Sequence, residues 1–291
     1  MKTLDLFHTP PEVIPAHIGW YLADLGEALG KQELFTAKSP QNLETLREHA
    51  IIESAVSSNR IEGVEIDQAR IEAVVLGNQL LRDRDEASVR GYRDALKMIH
   101  EGAERLKISE ETIQLFHRLC SGEIWDAGQY KDKDSDIIEK YPDGRQRVRF
   151  STVPAKDVPQ YMSALIEGWQ DFLKQRWIHP LIALAAFNLD FLCIHPFRDG
   201  NGRVSRLLLL LQHYHLGHKV GCYVSLERII EQSKDRYYET LQQSSSGWHE
   251  GRHDPWPYVA YLLFTLREAY RELEQQMTSL SPEAKNKPEQ T

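Results

Sequence analysis

The sequence predicts an all-α fold, a helical bundle interrupted by one small β-hairpin. Apolar residues recur at three- and four-residue steps along most of the chain, which is the spacing of one helix face. Strand-like residues flanking a turn signal occur only within about residues 135–152. Residues 181–194 and 203–216 are so apolar that both helices are expected to be buried on nearly every side.

Residues 1–106 are predicted to form an N-terminal helical region. Its best-defined helix covers about residues 39–63, because Ser39-Pro40 supplies an N-cap with a first-turn proline and Gly63 is a natural stop. The other helices predicted in this region cover residues 20–29, 67–81 and 86–106.

Residues 107–250 are predicted to form the central unit, and Ser109 opens its first helix. Ile137-Ile138 and Arg147–Phe150 flank the turn signal Tyr141-Pro142-Asp143-Gly144, so a β-hairpin is expected at about 135–152. The remaining predicted helices cover residues 158–175, 181–194, 203–216, 226–245 and, as a C-terminal helix within 251–278, residues 257–277. Residues 279–291 are rich in Pro, Glu, Lys and Gln and are predicted to be a disordered tail.

The composition excludes several classes of protein. The chain has 291 residues and a net charge of −8, so no nucleic-acid partner bound through a broad basic surface is expected. The three cysteines (Cys120, Cys193 and Cys222) are too widely spaced for a disulfide framework or a structural zinc site. The sequence shows neither a signal core nor an apolar stretch long enough to span a membrane, so a cytoplasmic location and no membrane partner are predicted.

The twelve residues from His195 to Arg206 carry the chemistry. Gly200-Asn201-Gly202 precedes a helix, where free backbone N–H groups and the positive helix terminus favour an anion such as phosphate. Arg203 and Arg206 lie three residues apart and therefore share a helix face, which favours a polyphosphate.

Asp199 and His195 complete this site. A carboxylate beside an anion site is repulsive unless a divalent cation lies between them, so Asp199 predicts a Mg²⁺ ion bound together with the phosphates. His195 can accept a proton near neutral pH. Each feature alone is more often structural, and Phe197 is interpreted as a core anchor, but their combination predicts a nucleotide–Mg²⁺ site with a general base.

This segment resembles the Fic motif, His-Pro-Phe-x-(Asp/Glu)-Gly-Asn-Gly-Arg-x-x-Arg, at every specified position. The resemblance implies a Fic-type helical core that transfers AMP from ATP to a Ser, Thr or Tyr hydroxyl of a protein. It implies that His195 deprotonates the hydroxyl, that Asp199 holds Mg²⁺, and that the hairpin is a flap for target docking. The implied nucleotide-binding residues of the motif are Gly200, Asn201, Gly202, Arg203, Val204, Ser205 and Arg206, with Arg203 and Arg206 on the β- and γ-phosphates.

A second, shorter resemblance concerns the end of the helix at 39–63. Ser58-Asn59-Arg60-Ile61-Glu62-Gly63 is similar to the family's inhibitory motif, (Ser/Thr)-x-x-x-Glu-(Gly/Asn). A carboxylate at a helix C-terminus is disfavoured by the helix dipole, and without the Fic motif Glu62 would be interpreted as solvated surface. The resemblance implies a self-inhibited class in which Glu62 pairs with Arg206 and blocks productive placement of the γ-phosphate.

Three weaker candidates lie outside the motif. Tyr237 and Tyr238 are similar in position to aromatic residues that border adenine in related proteins, although paired aromatics on a helix are more often core. His213, His215 and His218 suggest a metal cluster, but the structural interpretation is favoured because 213 and 215 diverge on a helix. The third candidate is a basic group near the hairpin that could dock a target, although a solvated face is favoured there: Arg147, Arg149 and Lys156.

The sequence therefore predicts an autoinhibited protein adenylyltransferase that uses ATP and Mg²⁺. Its other partner is a protein with a hydroxyl side chain, which can be the chain itself, and the charged helices leave room for a homodimer. The alternatives are removal of AMP or transfer of another phosphate-containing group on the same fold, and an ATP-sensing regulatory module without turnover.

Overall fold

The computed structural model describes residues 2–7, 13–38, 40–77, 79–122, 124–140, 143–175 and 178–279. Within them it contains twelve helices and one two-stranded antiparallel sheet, which confirms the predicted all-α fold with one hairpin. The helices are α1 (Lys2–Asp5), α2 (Ala16–Lys38), α3 (Pro40–Ile61), α4 (Ile71–Val75), α5 (Arg84–Gly102), α6 (Glu110–Ser121), α7 (Val158–Gln175), α8 (Pro180–Ile194), α9 (Asn201–His215), α10 (Leu226–Gln232), α11 (Lys234–Ser245) and α12 (Trp256–Ser279). The predicted N-cap Ser39 and the tail after residue 279 lie outside the described residues.

The centre of the molecule is the pair α8 and α9, joined by the loop 195–200. Every residue of α8 after Pro180 is buried, and α9 is buried from Asn201 to Tyr214 except for Gly202. The Nδ1 atom of His179 accepts a hydrogen bond from the Leu181 N–H, and Pro180 occupies the first helical position, where a missing N–H has no cost. Helices α1, α7, α11 and α12 pack around α8, so the loop after it starts from a fixed base.

Helix α3 packs against α5, α9 and α10 and ends beside the loop 195–200. Its last helical residue is Ile61, so Glu62 lies just past the final turn instead of within it. Gly63 has φ +80, and the N–H groups of Gly63 and Val64 donate to the carbonyls of Arg60 and Asn59. This is a Schellman C-cap, and it is the stop that Gly63 predicts.

The hairpin pairs β1 (Asp136–Lys140) with β2 (Gln146–Ser151) in antiparallel register, with an irregularity between Ile137 and Ile138. Tyr141 and Pro142 of the predicted turn lie outside the described residues, and Gly144 has φ +84. The ring of Phe150 stacks on that of His249 with centroids 5.3 Å apart. The hairpin thus lies against the segment that follows α11.

Three predicted helices differ in extent from those observed. The helix expected over 67–81 is a 3₁₀ turn (Gln68–Arg70) followed by the five-residue α4, and the Arg90 guanidinium binds the carbonyls of Ala73 and Val74 at the end of α4. The helix expected over 226–245 is broken into α10 and α11 at Ser233, whose hydroxyl donates to the Ile229 carbonyl and also contacts the Tyr261 hydroxyl. The helix expected over 20–29 is the centre of the longer α2.

No helix in the described ranges combines the length and apolar character that crossing a bilayer requires. The three cysteines are free and buried.

Candidate active site

His195 caps the C-terminus of α8 in the left-handed conformation, with φ 53 and ψ 63. It is the one non-glycine residue with positive φ in the described part of the chain. Such conformations are strained and cluster at functional sites. This left-handed conformation is maintained by a hydrogen bond from the His195 N–H to the Phe191 carbonyl and by the buried helix that precedes it.

The His195 ring is in the form that a general base needs. Its Nδ1 lies 3.4 Å from the Leu192 carbonyl oxygen, which can only accept, so Nδ1 carries the proton and Nε2 keeps its lone pair. Burial, followed by the positive charge of Lys131, lowers the pKa of His195 from 6.5 to about 4. The imidazole is therefore neutral at neutral pH.

The loop 195–200 closes through the side chain of Asn201. Its Oδ1 accepts from the Phe197 N–H at 2.9 Å, and its Nδ2 donates to the Phe197 carbonyl at 2.8 Å. Gly200 is the N-cap of α9 with φ +79, a conformation that favours glycine. Asn201 thus fixes the loop that leads into the first turn of α9, where backbone N–H groups can bind an anion.

Arg203 and Arg206 lie on the same face of α9 with 3% of each residue exposed. Arg203 donates from Nη1 to the Cys120 carbonyl at 2.9 Å. Within the described structure, Nε of Arg203 and Nη1 of Arg206 are buried without a hydrogen-bond acceptor. Buried guanidinium N–H groups without acceptors are costly, so the site has unused donors for an anion such as a polyphosphate. Val204 and Ser205 are both buried, and the Ser205 hydroxyl donates to the Gly202 carbonyl.

Glu62 reaches this site from the N-terminal region. Its Oε1 lies 2.8 Å from Nη2 of Arg206, which is the pairing that the resemblance implied. Arg206 also donates from Nε to the Ser58 hydroxyl and from Nη2 to the Ser58 carbonyl, so a cation caps the C-terminus of α3. Although burial opposes the charge of Arg206, the Glu62 carboxylate holds its pKa above the ordinary value.

Gly202 permits this close approach of Glu62. A Cβ atom at Gly202 would lie 2.1 Å from Oε1 of Glu62 and 3.2 Å from Nη1 of Arg206. The Glu62 carboxylate therefore lies against the backbone of the first turn of α9. This is the position at which a helix N-terminus binds an anion.

Asp199 fits a Mg²⁺ ion bound together with phosphates. Its side chain is 62% exposed, its Oδ1 accepts from the Gly200 N–H at 2.7 Å, and its Oδ2 lies 3.6 Å from Nη2 of Arg203. Mg²⁺ commonly takes one or two carboxylates and fills its remaining positions with phosphate oxygens and water. The described residues contain no group of three or more metal-binding side chains.

A cavity of about 210 Å³ opens beside these residues. Glu62, His195 and Gly202 line one part, and Tyr237 and Tyr238 of α11 line another. The remaining lining residues come from the hairpin, from the end of α8 and from α11: Ile137, Arg149, Phe150, Leu192, Cys193, Leu241, Gln242 and Ser245. The structure thus brings the two predicted tyrosines to the same cavity as His195, with Tyr237 almost fully buried and Tyr238 half-buried.

Arg149 contacts α11. Its guanidinium lies over the Tyr238 ring, 5.3 Å from the centroid, and donates to the Tyr238 carbonyl. Arg147 and Lys156 are exposed, as expected for a solvated face. The interpretation of the histidines as structural agrees with their contacts: His218 binds the Tyr270 hydroxyl and His215 binds the Ala103 carbonyl.

Two buried residues near the site were not predicted. The ring of His117 in α6 stacks in parallel on the ring of Phe197, with centroids 3.9 Å apart. Because Nδ1 of His117 accepts a hydrogen bond from the Gly128 N–H, its Nε2 carries the proton and donates to the Asp199 carbonyl. The N–H of Lys131 donates to the Pro196 carbonyl and its amine to the Thr152 hydroxyl, and burial lowers the pKa of Lys131 to about 8. In sequence His117 looked like another residue on the packed face of a helix, so no local signal marked it.

The structure thus places His195 at the end of the buried helix α8, beside the N-terminal turn of α9 and its two buried arginines. Residues 107–212 match the model of the Fic/DOC family. These residues form a domain of the Fic/DOC family, and this family domain contains His195 and the first turns of α9.

Known proteins agree with this assignment. The protein adenylyltransferase Fic of Nematostella vectensis is 25% identical over 201 residues, which cover 65% of this chain and 42% of that protein. The protein of the same name from Drosophila willistoni is 24% identical over 159 residues, 53% of this chain and 28% of the relative. The chain thus spans less than half the length of these curated relatives.

Solved structures share the fold. The crystal structure of a Fic family protein from Desulfovibrio desulfuricans G20 has a TM-score of 0.74 at 26% identity, covering 94% of this chain and 79% of that one. Fic-1 from C. elegans has a TM-score of 0.70 at 19% identity, covering 90% and 74%, and this shows the fold alone.

Proposed function

We propose that this protein transfers AMP from ATP to a Ser, Thr or Tyr hydroxyl of a protein, releasing pyrophosphate, and that Glu62 inhibits the reaction. One observation carries the proposal. The Glu62 carboxylate pairs with Arg206 and lies against Gly202, where the first turn of α9 has donors for an anion. The names of the curated relatives support adenylyl transfer as the reaction class.

His195 is the proposed base. Its neutral ring with a free Nε2 accepts the proton of the target hydroxyl as that oxygen attacks the α-phosphorus of ATP. The bond from the α-phosphorus to the bridging oxygen breaks, and pyrophosphate leaves. The product is an AMP group on the target oxygen. Such reactions need mainly positioning and charge stabilisation.

The arginines and the helix N-terminus supply that stabilisation. Arg203 and Arg206 are held in place by buried contacts to Cys120 and Ser58, so their guanidiniums are positioned for the β- and γ-phosphates once their carboxylate partners are displaced. Asp199 would hold Mg²⁺, which supplies charge neutralisation on the phosphates when bound. Tyr237 and Tyr238 would border the adenine within the cavity beside His195.

Inhibition follows from competition for one cation. While Glu62 binds Nη2 of Arg206, a γ-phosphate oxygen cannot take that donor, and two anions at one helix terminus repel each other. ATP is then held away from the geometry that places its α-phosphorus before His195. Displacement of Glu62, or its removal, restores productive binding.

Labelled ATP tests the reaction class. The Glu62→Gly protein is incubated with Mg²⁺ and a cell lysate, once with ATP labelled at the α-phosphate and once at the γ-phosphate. Covalent α-label without γ-label is expected on a protein, including the chain itself. Glu62→Gly/His195→Ala should reduce it by about 10²–10⁴-fold, the usual contribution of a general base.

The other outcomes each favour a different function. Transfer of γ-label that depends on added protein and is lost in Glu62→Gly/His195→Ala would show a kinase-type reaction, and loss of α-label from a pre-modified protein would show AMP removal as the main activity. Tight ATP binding with no covalent label in any variant would favour an ATP-sensing module. A homodimer and a cytoplasmic location stay predictions, the first testable by sedimentation.

A further inference from the structure

Arg84 contacts the proposed site from outside the family domain. It is the first residue of α5, and its Nη2 lies 3.5 Å from Oδ2 of Asp199. Nη2 of Arg203 lies 3.6 Å from the same oxygen. One carboxylate oxygen is thus flanked by two guanidiniums, one buried within α9 and one 58% exposed at the N-terminus of α5.

The segment that presents Arg84 is held rigidly. Glu86 is 3% exposed and forms two hydrogen bonds with Arg70, Nε to Oε1 at 2.9 Å and Nη2 to Oε2 at 2.8 Å. Arg70 also donates to the Leu80 carbonyl, and Asp83 caps α5 by accepting from the Glu86 N–H at 2.9 Å. A buried bidentate pair is strongly destabilising to break, so the base of the Arg84 side chain is fixed.

We propose that Arg84 is a third phosphate-binding arginine of this site, directed to the terminal phosphates of the nucleotide. The proposal rests on the nucleotide site proposed above. When Asp199 holds a divalent cation, its Oδ2 is no longer available to both guanidiniums, and their N–H groups turn to phosphate oxygens. Arg84 is therefore paired with Asp199 in the isolated chain and with phosphate in the complex.

Charge and depth support this assignment. Arg84, Arg203 and Arg206 face the carboxylates of Asp199 and Glu62, and once Glu62 withdraws the positive excess grows, which suits the anionic Mg²⁺ complex of ATP. Arg203 and Arg206 are buried, whereas the side chain of Arg84 is 58% exposed. The exposed guanidinium therefore reaches the part of the polyphosphate that leaves as pyrophosphate.

Calorimetric binding of ATP and AMP with Mg²⁺, in the Glu62→Gly/His195→Ala background that is expected not to transfer AMP, tests this role. Arg84→Ala is expected to weaken ATP binding about tenfold or more, the effect of losing one charge-assisted hydrogen bond, and to leave AMP binding within about twofold. Arg84→Lys should restore part of the ATP affinity. The matched control is Arg82→Ala, which removes the same charge two residues away and should leave ATP binding unchanged.

An unchanged ATP affinity in Arg84→Ala would overturn the proposal. So would an equal loss for AMP, or an equal loss in Arg82→Ala, because either would indicate a general electrostatic or structural effect. Thermal unfolding of each variant shows that it is folded. Since binding is measured without transfer, failure of AMP transfer would reject the proposed function and leave the Arg84 result standing.

Discussion

The pair α8–α9 and the helix α3 meet at Arg206, and they are built differently. Helix α8 is buried along its whole length after Pro180 and has an almost entirely apolar surface. Helix α3 presents a mixed face, in which Ile51, Ala55 and Val56 alternate with buried polar residues. Those polar residues of α3 are Ser54, Ser57, Ser58 and Asn59.

This difference suggests separate roles: α8 and α9 form the scaffold of the proposed active site, and α3 controls its activity. The buried helices α8 and α9 cannot shift without opening voids, so they hold His195 and the anion-binding turn in one geometry. The polar contacts of α3, such as Ser54 Oγ to Ser225 Oγ at 2.9 Å and Arg206 Nε to Ser58 Oγ, can exchange protein partners for water. We therefore expect changes in the scaffold to alter stability and changes in α3 to alter the basal rate.

The largest expected effect is destabilisation of the folded protein by acid. The histidines responsible for it all lie outside α3. Burial lowers the pKa of six histidines from 6.5, so the unfolded chain binds more protons than the folded one between pH 6.5 and about pH 4. The six are His100, His117, His195, His218 and His253 (to about 4) and His213 (to about 3).

The free energy of unfolding should therefore fall as pH drops below 6.5, by up to about 1.4 kcal/mol per pH unit for each histidine, and be insensitive to them above that. Urea unfolding at pH 7.5, 6.5 and 5.5 measures this. The rate ratio of Glu62→Gly to wild type should stay constant over the same range. Equal stability at the three pH values would contradict the assigned burial of these rings.

A core substitution should lower stability without releasing the inhibition. Phe187 in α8 is fully buried, with its ring 5.8 Å from that of Trp169. Phe187→Ala is expected to lower the free energy of unfolding by about 3–5 kcal/mol, because it removes buried contacts and leaves a cavity. Denaturant titration measures the loss. A basal AMP-transfer rate that rose to the Glu62→Gly level would contradict the separation of scaffold and control.

A substitution in α3 should instead raise the basal rate of AMP transfer at a smaller cost in stability. Ser58→Ala removes the acceptor of the Arg206 Nε–H, so the pairing with Glu62 loosens and the basal rate should rise about fivefold, at a stability cost of about 1–2 kcal/mol. Initial rates with α-labelled ATP measure it. Ser57→Ala, a buried serine beside it that does not hydrogen-bond Arg206 in the described structure, is the control. Equal rates in both variants would contradict the role of the Ser58 hydroxyl in holding Arg206.

Much of the site could be predicted because its residues are adjacent in sequence. The motif places His195 at a helix end and the glycines and arginines at the next helix start, and local geometry decides those positions. The contact of Glu62 with Arg206 was implied by the resemblance and is present.

The rest depends on contacts between distant segments, which no local pattern encodes. Arg84 meets Asp199 across 115 positions, and His117 holds the Asp199 carbonyl across 82. The side chain of Asn201 closes its own loop through Phe197, a contact that the motif alone does not indicate. The short α4 ends where Arg90 binds its carbonyls, and this interaction could not be inferred from helix propensity.

The central claim is that the Glu62 carboxylate restrains AMP transfer by holding Arg206. The direct measurement compares initial rates of α-label transfer by wild type, Glu62→Gly and Glu65→Gly, the last removing an exposed carboxylate three residues away. Glu62→Gly should exceed wild type by at least about tenfold, the equivalent of one released charge-assisted contact, and Glu65→Gly should equal wild type. Equal rates for all three proteins, or an equal gain in both variants, would contradict the claim.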